Sequence, residues 1–360
     1  MSRARDFADL AGSADAGGLT GRNLVINGAA LIYQRNSSTT ANLGVAADRI
    51  VQEATGGTST LSRETLTSGS PYDEGFRFYN RITNTATASG STNYRQIRYA
   101  FESQEIASSG WNYKSSSSFV TWSFWIRTSV AGKYTFTLQT SDGTAYLYTF
   151  SKTLSADTWT KVTETIPGNS NLQFDNDAFG GLFLHFRTWL GSAYTNLSSE
   201  NAWATYNSAN ISTSGIANFA GTEGATYDVT GIQLEVGSQA TPFEHRSFAD
   251  ELARCERYFQ RFVANDAYTA WSVAFSTSAT SAKAHLKYNC KMRAEPTISQ
   301  SNTGFNHGPQ VAFSSFNTLY TGFDLTWIDM NIGNVSSANV LGHWNANNNT
   351  AAYVQMDAEL

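Results

Sequence analysis

The sequence predicts an all-β protein, and three observations carry that prediction. Aromatic residues make up 13% of the chain and charged residues only 15%, and 28 glycines stand beside 5 prolines. Thr, Tyr, Phe and Trp favour strands, whereas the abundant Ser, Asn and Gly favour turns. Many short segments alternate apolar and polar residues, as half-buried strands do. Together these features predict a jelly-roll β-sandwich, then one linking helix, then a second small C-terminal β-sandwich.

Length and charge exclude several functional classes. A chain of 360 residues predicts about two domains. The formal net charge of −5 and the lack of a basic run argue against a nucleic-acid partner. No run of about 18 apolar residues is present, so we expect no membrane insertion, and the N-terminus lacks the apolar run of a secretory signal. Two cysteines, Cys255 and Cys290, are too few for a disulfide framework, and we expect free thiols.

The first 22 residues differ in texture from the rest of the chain. They are small and polar and end in a Gly- and Ala-rich stretch, which favours a flexible connector. Residues 3–10 alone have the composition of one or two helical turns. Two interpretations stay open, a frayed terminus and an arm that orders only on a larger assembly.

Residues 23–245 carry the clearest strand patterns. Within 120–127, every second residue is apolar, and Val120, Trp122, Phe124 and Ile126 share one face. Turn-forming residues separate this segment from the similar ones around it. Many short strands with loops of unequal length predict a jelly-roll sandwich for this region.

Residues 246–262 break the period of two and predict the linking helix. Their apolar residues follow spacings of 4, 3, 4 and 3, and Ser247 with Asp250 fits a capping box. This heptad stripe consists of Phe248, Leu252, Cys255, Phe259 and Phe262. It packs either on the sheet of its own chain or in an intersubunit bundle. Residues 263–360 return to strand patterns and predict the second sandwich.

No catalytic constellation is recognisable in the sequence, so we expect a protein that is not an enzyme and needs no cofactor. It has no Walker loop, dinucleotide fingerprint or nucleophile elbow, and its five histidines show no metal-ligand spacing. We interpret His185 as a solvent-side residue of a strand. Asp175 and Asp177 are weak calcium candidates, because the same pattern is common in turns.

Aromatic residues near polar loops are the more informative feature. Sugar recognition uses aromatic faces together with amides and hydroxyls. The glycan-binding candidates chosen on this basis are Trp344, His343, Trp189, Trp203 and Tyr206. Trp344, beside an Asn-rich segment, is predicted to be exposed.

Several segments resemble a broad family of bacteriophage tail-fibre and virion-fibre proteins. They are residues 23–30, 33–36, 47–50, 122–135 and 231–261, and the last is the most similar. The resemblance implies a jelly-roll domain similar to carbohydrate-binding modules, in a trimeric and non-enzymatic virion appendage. It also implies structural roles for four residues where the last sandwich strand enters the helix, namely Glu235, Glu244, His245 and Arg246.

The leading hypothesis is therefore a tail or capsid fibre protein, assembled in the bacterial cytoplasm, that displays β domains for adsorption to host glycans. Residues 1–22 would attach it to other virion proteins, with Arg3, Arg5, Phe7 and Leu10 as contacts. The alternatives are a capsid- or baseplate-decorating protein without a receptor and, less favoured, a glycan depolymerase. The low charge favours a neutral sugar or a protein as partner.

Overall fold

The computed structural model describes residues 21–301, 303–306, 310–332 and 340–360, with the backbone alone for 310–320. The chain divides into two compact units. One extends to Glu251 and includes Leu360, and the other is Leu252–Glu359. The proposed attachment contacts Arg3, Arg5, Phe7 and Leu10 lie outside the described residues. No helix in the described ranges is long and apolar enough to cross a membrane.

The N-terminal unit is built almost entirely from strands. In chain order the described strands are β1 (Ser38–Thr39), β2 (Val51–Thr55), β3 (Thr58–Thr65), β4 (Phe78–Ala86), β5 (Tyr94–Glu102), β6 (Phe119–Thr128), β7 (Gly132–Thr140), β8 (Tyr146–Leu154), β9 (Thr160–Pro167), β10 (Gly180–Leu190), β11 (Trp203–Thr205) and β12 (Thr226–Val236). Short helices lie between them, namely α1 (Ser70–Asp73), α2 (Ser103–Ala107) and a 3-10 turn at Ser192–Tyr194.

These strands form two antiparallel six-stranded sheets. The first has the order β1-β3-β4-β12-β6-β9, and the second has the order β11-β8-β7-β10-β5-β2. Neighbours in each sheet are mostly distant in sequence, as the crossovers of a jelly roll require. The predicted all-β jelly-roll sandwich is confirmed.

The core between the sheets is aromatic. Trp122 and Phe124 of β6 meet Phe136, Phe150 and Phe186 of the other sheet, and all five side chains are buried. Trp122 lies edge-on to three of these rings at centroid distances of 5.1–6.2 Å. Such contacts add to the free energy gained by burying the rings. The predicted inward face of residues 120–126 is confirmed.

A buried ion pair ties the central strand β12 to its neighbours. Asp228, 1% exposed, accepts two hydrogen bonds from Arg81 of β4, at 2.7 and 2.9 Å. It accepts two more from Arg127 of β6, at 2.9 and 2.7 Å. The hydrogen bond to Asp228 raises the pKa of Arg81. One carboxylate thus clamps three adjacent strands.

Glycines mark two close approaches of the backbone. Gly28 lies against β12, where an added Cβ would stand 2.0 Å from the carbonyl oxygen of Ile232. Gly231 has φ +62°, sits in the bulge of β12, and packs against Phe76. Both positions fall within the segments that resemble the fibre family, and their geometry gives a physical reason for glycine there.

The segment after β12 is held by the residues for which structural roles were expected. The Glu235 carboxylate accepts from the amide and hydroxyl of Thr241. Glu244 accepts from the backbone amide of Asn23 at 2.7 Å, and Arg246 donates to the carbonyl of Val25 at 3.0 Å. The segment that follows β12 is therefore hydrogen-bonded to Asn23 and Val25, near the start of the described chain.

The linking helix is shorter than predicted. Helix α3 spans Phe248–Glu256, and its start is capped by Ser247, whose hydroxyl accepts from the Asp250 amide at 3.2 Å. Residues 259–263 are instead a strand, β13 (Phe259–Val263). The prediction of a helix to residue 262 is wrong, because the aromatic run gains ladder hydrogen bonds by pairing with a C-terminal strand.

The heptad stripe is consequently split. Phe248 is 59% exposed, and Cys255 is buried on the helix. Phe259 and Phe262 lie on β13, with Phe259 buried. Leu252 is half-buried. A continuous five-residue helical packing stripe does not form. Within the described residues, neither Cys255 nor Cys290 forms a disulfide.

The C-terminal unit has a different architecture from the first. Its further described strands are β14 (Ala270–Ser278), β15 (Ser281–Lys287), β16 (Thr297–Ser301), β17 (Gly304–Asn306), β18 (Gln310–Thr321), β19 (Leu325–Ile332), β20 (Leu341–Asn345) and β21 (Tyr353–Asp357). Six of them close into a barrel of order β14-β15-β19-β18-β17-β20, and β13-β21-β16 form a separate sheet. The second β unit is confirmed, but a barrel takes the place of two open sheets. Strand β20 pairs with both β14 and β17 and so leaves no edge there.

Candidate functional site

A cleft of about 360 Å³ lies on the second sheet of the N-terminal unit. This volume falls within the range of small-molecule sites in proteins. Strands β2, β5, β7 and β10 supply its floor, and the chain around the 3-10 turn and after β11 supplies one wall. The lining residues are Glu53, Tyr94, Gln96, Arg98, Gln139, Phe183, His185, Arg187, Leu190, Tyr194, Tyr206, Ser208 and Ile211. We refer to these residues together as the cleft.

The alternation along β10 explains which side chains reach the cleft. Leu184 and Phe186 point into the sandwich core and are fully buried there. The residues between and beside them, Phe183, His185 and Arg187, therefore face the opposite side and line the cleft. On β5, residues Tyr94, Gln96 and Arg98 do the same, and the register pairs His185 with Arg98 and Arg187 with Gln96.

A bulge at the end of β10 changes this phase. The register shifts between Arg187 and Trp189, so that Leu190 pairs with Tyr94. Leu190 therefore lines the cleft, whereas Trp189 is 9% exposed and is not among the lining residues. A strict period of two from Arg187 would have placed Trp189 in the cleft.

Three tyrosines, together with Phe183, supply the aromatic surface of the cleft. Tyr94 and Tyr194 meet edge-on at 6.0 Å, and the Tyr194 hydroxyl donates to the carbonyl of Thr92 at 2.8 Å. Tyr206 is 36% exposed. Burial raises the pKa of Tyr94, so its hydroxyl stays protonated at neutral pH. The cleft thus offers ring faces together with phenolic groups, a combination suited to sugars.

The floor is polar and partly charged. The Glu53 carboxylate pairs with Arg98 at 2.8 Å and accepts from the Gln96 amide. Arg187 is 6% exposed and donates to Gln96 Oε1 and, at 3.3 Å, to the Thr137 hydroxyl. Burial lowers the pKa of Arg187 to about 10, which leaves the guanidinium protonated at neutral pH.

His185 occupies the centre of this floor. It is 5% exposed, and within the described part of the chain neither ring nitrogen has a hydrogen-bond partner. Burial lowers the pKa of His185 well below its usual value, and the charges of Arg187 and Arg98 lower it further. The imidazole is therefore neutral at pH 7, with one nitrogen able to donate and one able to accept.

The structure places the five glycan candidates in different parts of the molecule. Tyr206 lines the cleft. Trp203 lies half-buried on β11, where its indole donates to the carbonyl of Pro167 at 2.7 Å. Trp344 and His343 belong to the C-terminal unit, where Trp344 is fully buried and His343 is exposed. The prediction that Trp344 is exposed is wrong, because alternation along β20 turns it into the barrel interior, edge-on to Trp271.

Sequence reasoning missed most of the cleft. Of the glycan candidates, Tyr206 lines the cleft, and no sequence signal marked Tyr94, Gln96 or Arg187. The alternation did place His185 on the side facing away from the core. It did not reveal that the loops after β10 and β11 cover that side, and the expectation of solvent exposure for His185 is wrong.

The calcium candidates serve as turn residues. Asp175 accepts from the Gln173 amide at 2.6 Å, and Asp177 accepts from the backbone amide of Phe179 at 3.0 Å. Across the described ranges, no group of three or more His, Cys, Asp or Glu residues is placed to hold a metal ion.

Comparison with known proteins gives similarity in structure only. No model of a known protein family matches the chain, and no curated protein matches it. Among solved structures, the N-terminal cellulose-binding domain of β-1,4-glucanase C from Cellulomonas fimi is 12% identical, with a TM-score of 0.29. That comparison covers 57% of this chain and 97% of the domain.

Two further structures illustrate the range of similarity. A tandem pair of CBM22 modules from Paenibacillus barcinonensis Xyn10C is 9% identical over 89% of this chain and 95% of the pair, with a TM-score of 0.28. The enzymatically active domain of tailspike protein 4 from bacteriophage CBA120 is 8% identical, with a TM-score of 0.33. It is matched over 60% of this chain and 21% of its own length. At TM-scores below 0.5 these similarities carry no weight for function, which has to be inferred from the cleft of this chain.

Proposed function

We propose that the N-terminal unit binds a glycan in the cleft. The observation that carries the proposal is the arrangement of Tyr94, Tyr194 and Tyr206 around a floor of amide and guanidinium donors. Ring faces pack against the C–H surfaces of sugars, and the amides and hydroxyls recognise sugar hydroxyl groups. The cleft volume of about 360 Å³ is large enough for one or a few sugar units.

Substitution of Tyr206 tests this proposal. We expect Tyr206→Ala to weaken glycan binding at least about fivefold, since an aromatic contact contributes about 1 kcal/mol beyond area burial. Binding is measured by a glycan array and then by calorimetry on the strongest hit. Tyr33→Ala is the matched control, because Tyr33 is 48% exposed and does not line the cleft. Equal affinities for the two variants and the unsubstituted protein would exclude the cleft as the binding site.

We further propose that the chain is a tail or capsid fibre protein, displayed as a trimer on a phage virion and adsorbing without cleaving the glycan. The support is the resemblance of residues 231–261 to the fibre family. Electron microscopy of virions labelled against this chain is expected to show the label on an appendage. Label on the capsid surface, with no appendage, would favour a decorating protein.

Light scattering is expected to give a molecular mass of three times 39.3 kDa, and a mass of 39.3 kDa would exclude the trimer. Shortened host polysaccharide after incubation would instead indicate a depolymerase.

A further inference from the structure

Arg187 is a buried cation whose direct hydrogen-bond partners, Gln96 and Thr137, are neutral. No ion pair to it occurs in the described ranges, and the Glu53 carboxylate acts on it without a direct contact. Taking a charge out of water is costly unless an opposite charge compensates it. A guanidinium that is 6% exposed and lines an open cleft is therefore prepared for an anion from outside the protein.

The other charges of the cleft do not supply that anion. Glu53 is the single carboxylate among the lining residues, and it is already engaged by Arg98 at 2.8 Å and by Gln96. Within the described ranges, Glu53 therefore makes its ion pair with Arg98 and none with Arg187.

His185 gives a second, independent observation. It is 5% exposed, its two nitrogens have no partner within the described part of the chain, and it lies on the same strand as Arg187, two residues away. Buried polar groups in folded proteins are normally hydrogen-bonded. A ligand that pairs with Arg187 is thus positioned to offer a hydroxyl or ring oxygen to His185.

We propose that the glycan bound in the cleft is acidic and that Arg187 receives its carboxylate. The planar fork of a guanidinium matches the two oxygens of a carboxylate, which a neutral sugar lacks. The neutral imidazole of His185 hydrogen-bonds the same sugar unit, and the tyrosines contact its ring face. This inference rests on the proposed glycan-binding function and replaces the expectation of a neutral sugar.

Carboxyl reduction of the glycan tests the inference directly. Calorimetric titration compares three acidic glycans with their reduced forms, in which a primary alcohol replaces the carboxylate. The glycans are oligogalacturonate, oligoglucuronate and a sialyl-oligosaccharide. We expect at least one acidic member to bind at least tenfold more tightly than its reduced form. We expect Arg187→Met, which keeps an unbranched stem but removes the guanidinium, to abolish that preference.

Arg127→Met is the control for a general loss of positive charge, because Arg127 pairs with Asp228 and does not line the cleft. It is expected to retain the preference for the acidic form, and thermal unfolding of each variant verifies the fold. Equal binding of acidic and reduced forms, sensitive to Tyr206→Ala, would overturn the inference and leave the glycan-binding function standing. A preference that survives Arg187→Met would also overturn it. If no acidic or neutral glycan binds, both the proposed glycan-binding function and the preference for an acidic glycan are overturned.

Discussion

At the scale of single residues, the cleft contains two polar side chains whose burial is energetically unfavourable. Arg187 and His185 are both buried; within the part of the chain that the structure describes, Arg187 is charged without a direct ion pair and His185 has no hydrogen-bond partner. Neither arrangement adds to the stability of the free protein, because desolvation of each group is poorly compensated. Groups of this kind are best explained by a ligand that completes their bonding.

His185 makes stability depend on pH. Its pKa is well below the usual 6.5 in the folded state, so only the unfolded chain takes up this proton as the pH falls below 6.5. His185 therefore leaves the free energy of unfolding unchanged above about pH 6.5 and lowers it below that pH, by up to about 1.4 kcal/mol per pH unit. We expect His185→Leu to flatten the fall in unfolding free energy between pH 6.5 and 5, measured by urea denaturation. An unchanged slope in the variant would show that other groups cause the fall.

At the scale of elements, the sandwich is joined by side chains as well as by strand ladders. Asp228 of β12 binds Arg81 of β4 and Arg127 of β6, and Arg246 ties the chain after β12 to Val25. Helix α3 shows that strand pairing also determines where an element ends, because the helix is shorter than its local sequence pattern predicts. Helical spacing continues to Phe262, yet pairing of β13 with β21 ends the helix at Glu256.

Removal of the Asp228 charge is expected to destabilise the N-terminal unit. Asp228→Asn leaves two partly buried guanidinium groups without their shared carboxylate, and breaking a buried pair in this way costs about 3–5 kcal/mol. The measurement is the free energy of unfolding by denaturant. Asp157→Asn, an exposed position, is the control and is expected to change it by less than about 0.5 kcal/mol. Equal effects of the two substitutions would refute the clamp.

At the scale of the whole molecule, most aromatic residues fill the cores of the two units, and a few line the cleft of the N-terminal unit. The excess of aromatics over charge fills the sandwich core around Trp122 and the barrel core around Trp344. Only a few aromatic rings remain for the cleft, and most of them are tyrosines, whose hydroxyls tolerate partial exposure.

Trp344 separates the roles of the two units. We expect Trp344→Ala to lower the free energy of unfolding by about 3–5 kcal/mol, the usual cost of removing a large ring from a packed core. Since Trp344 lines the barrel interior and not the cleft, we expect glycan affinity below the unfolding temperature to stay unchanged. Calorimetric unfolding and titration on one sample measure both quantities. A selective loss of glycan binding without destabilisation would restore Trp344 as a binding residue.

The sequence by itself determined the all-β class, the inward face of residues 120–126, and the capped start of the helix at Ser247. These follow from local composition and periodicity, which need no knowledge of distant neighbours. Only the tertiary structure decided that β20 closes a barrel, that Phe259 lies on a strand, and that Tyr94, Arg187 and Tyr206 share one cleft. Strand pairing and cleft lining join residues far apart in sequence, and a bulge of one residue reverses which side chain faces the cleft.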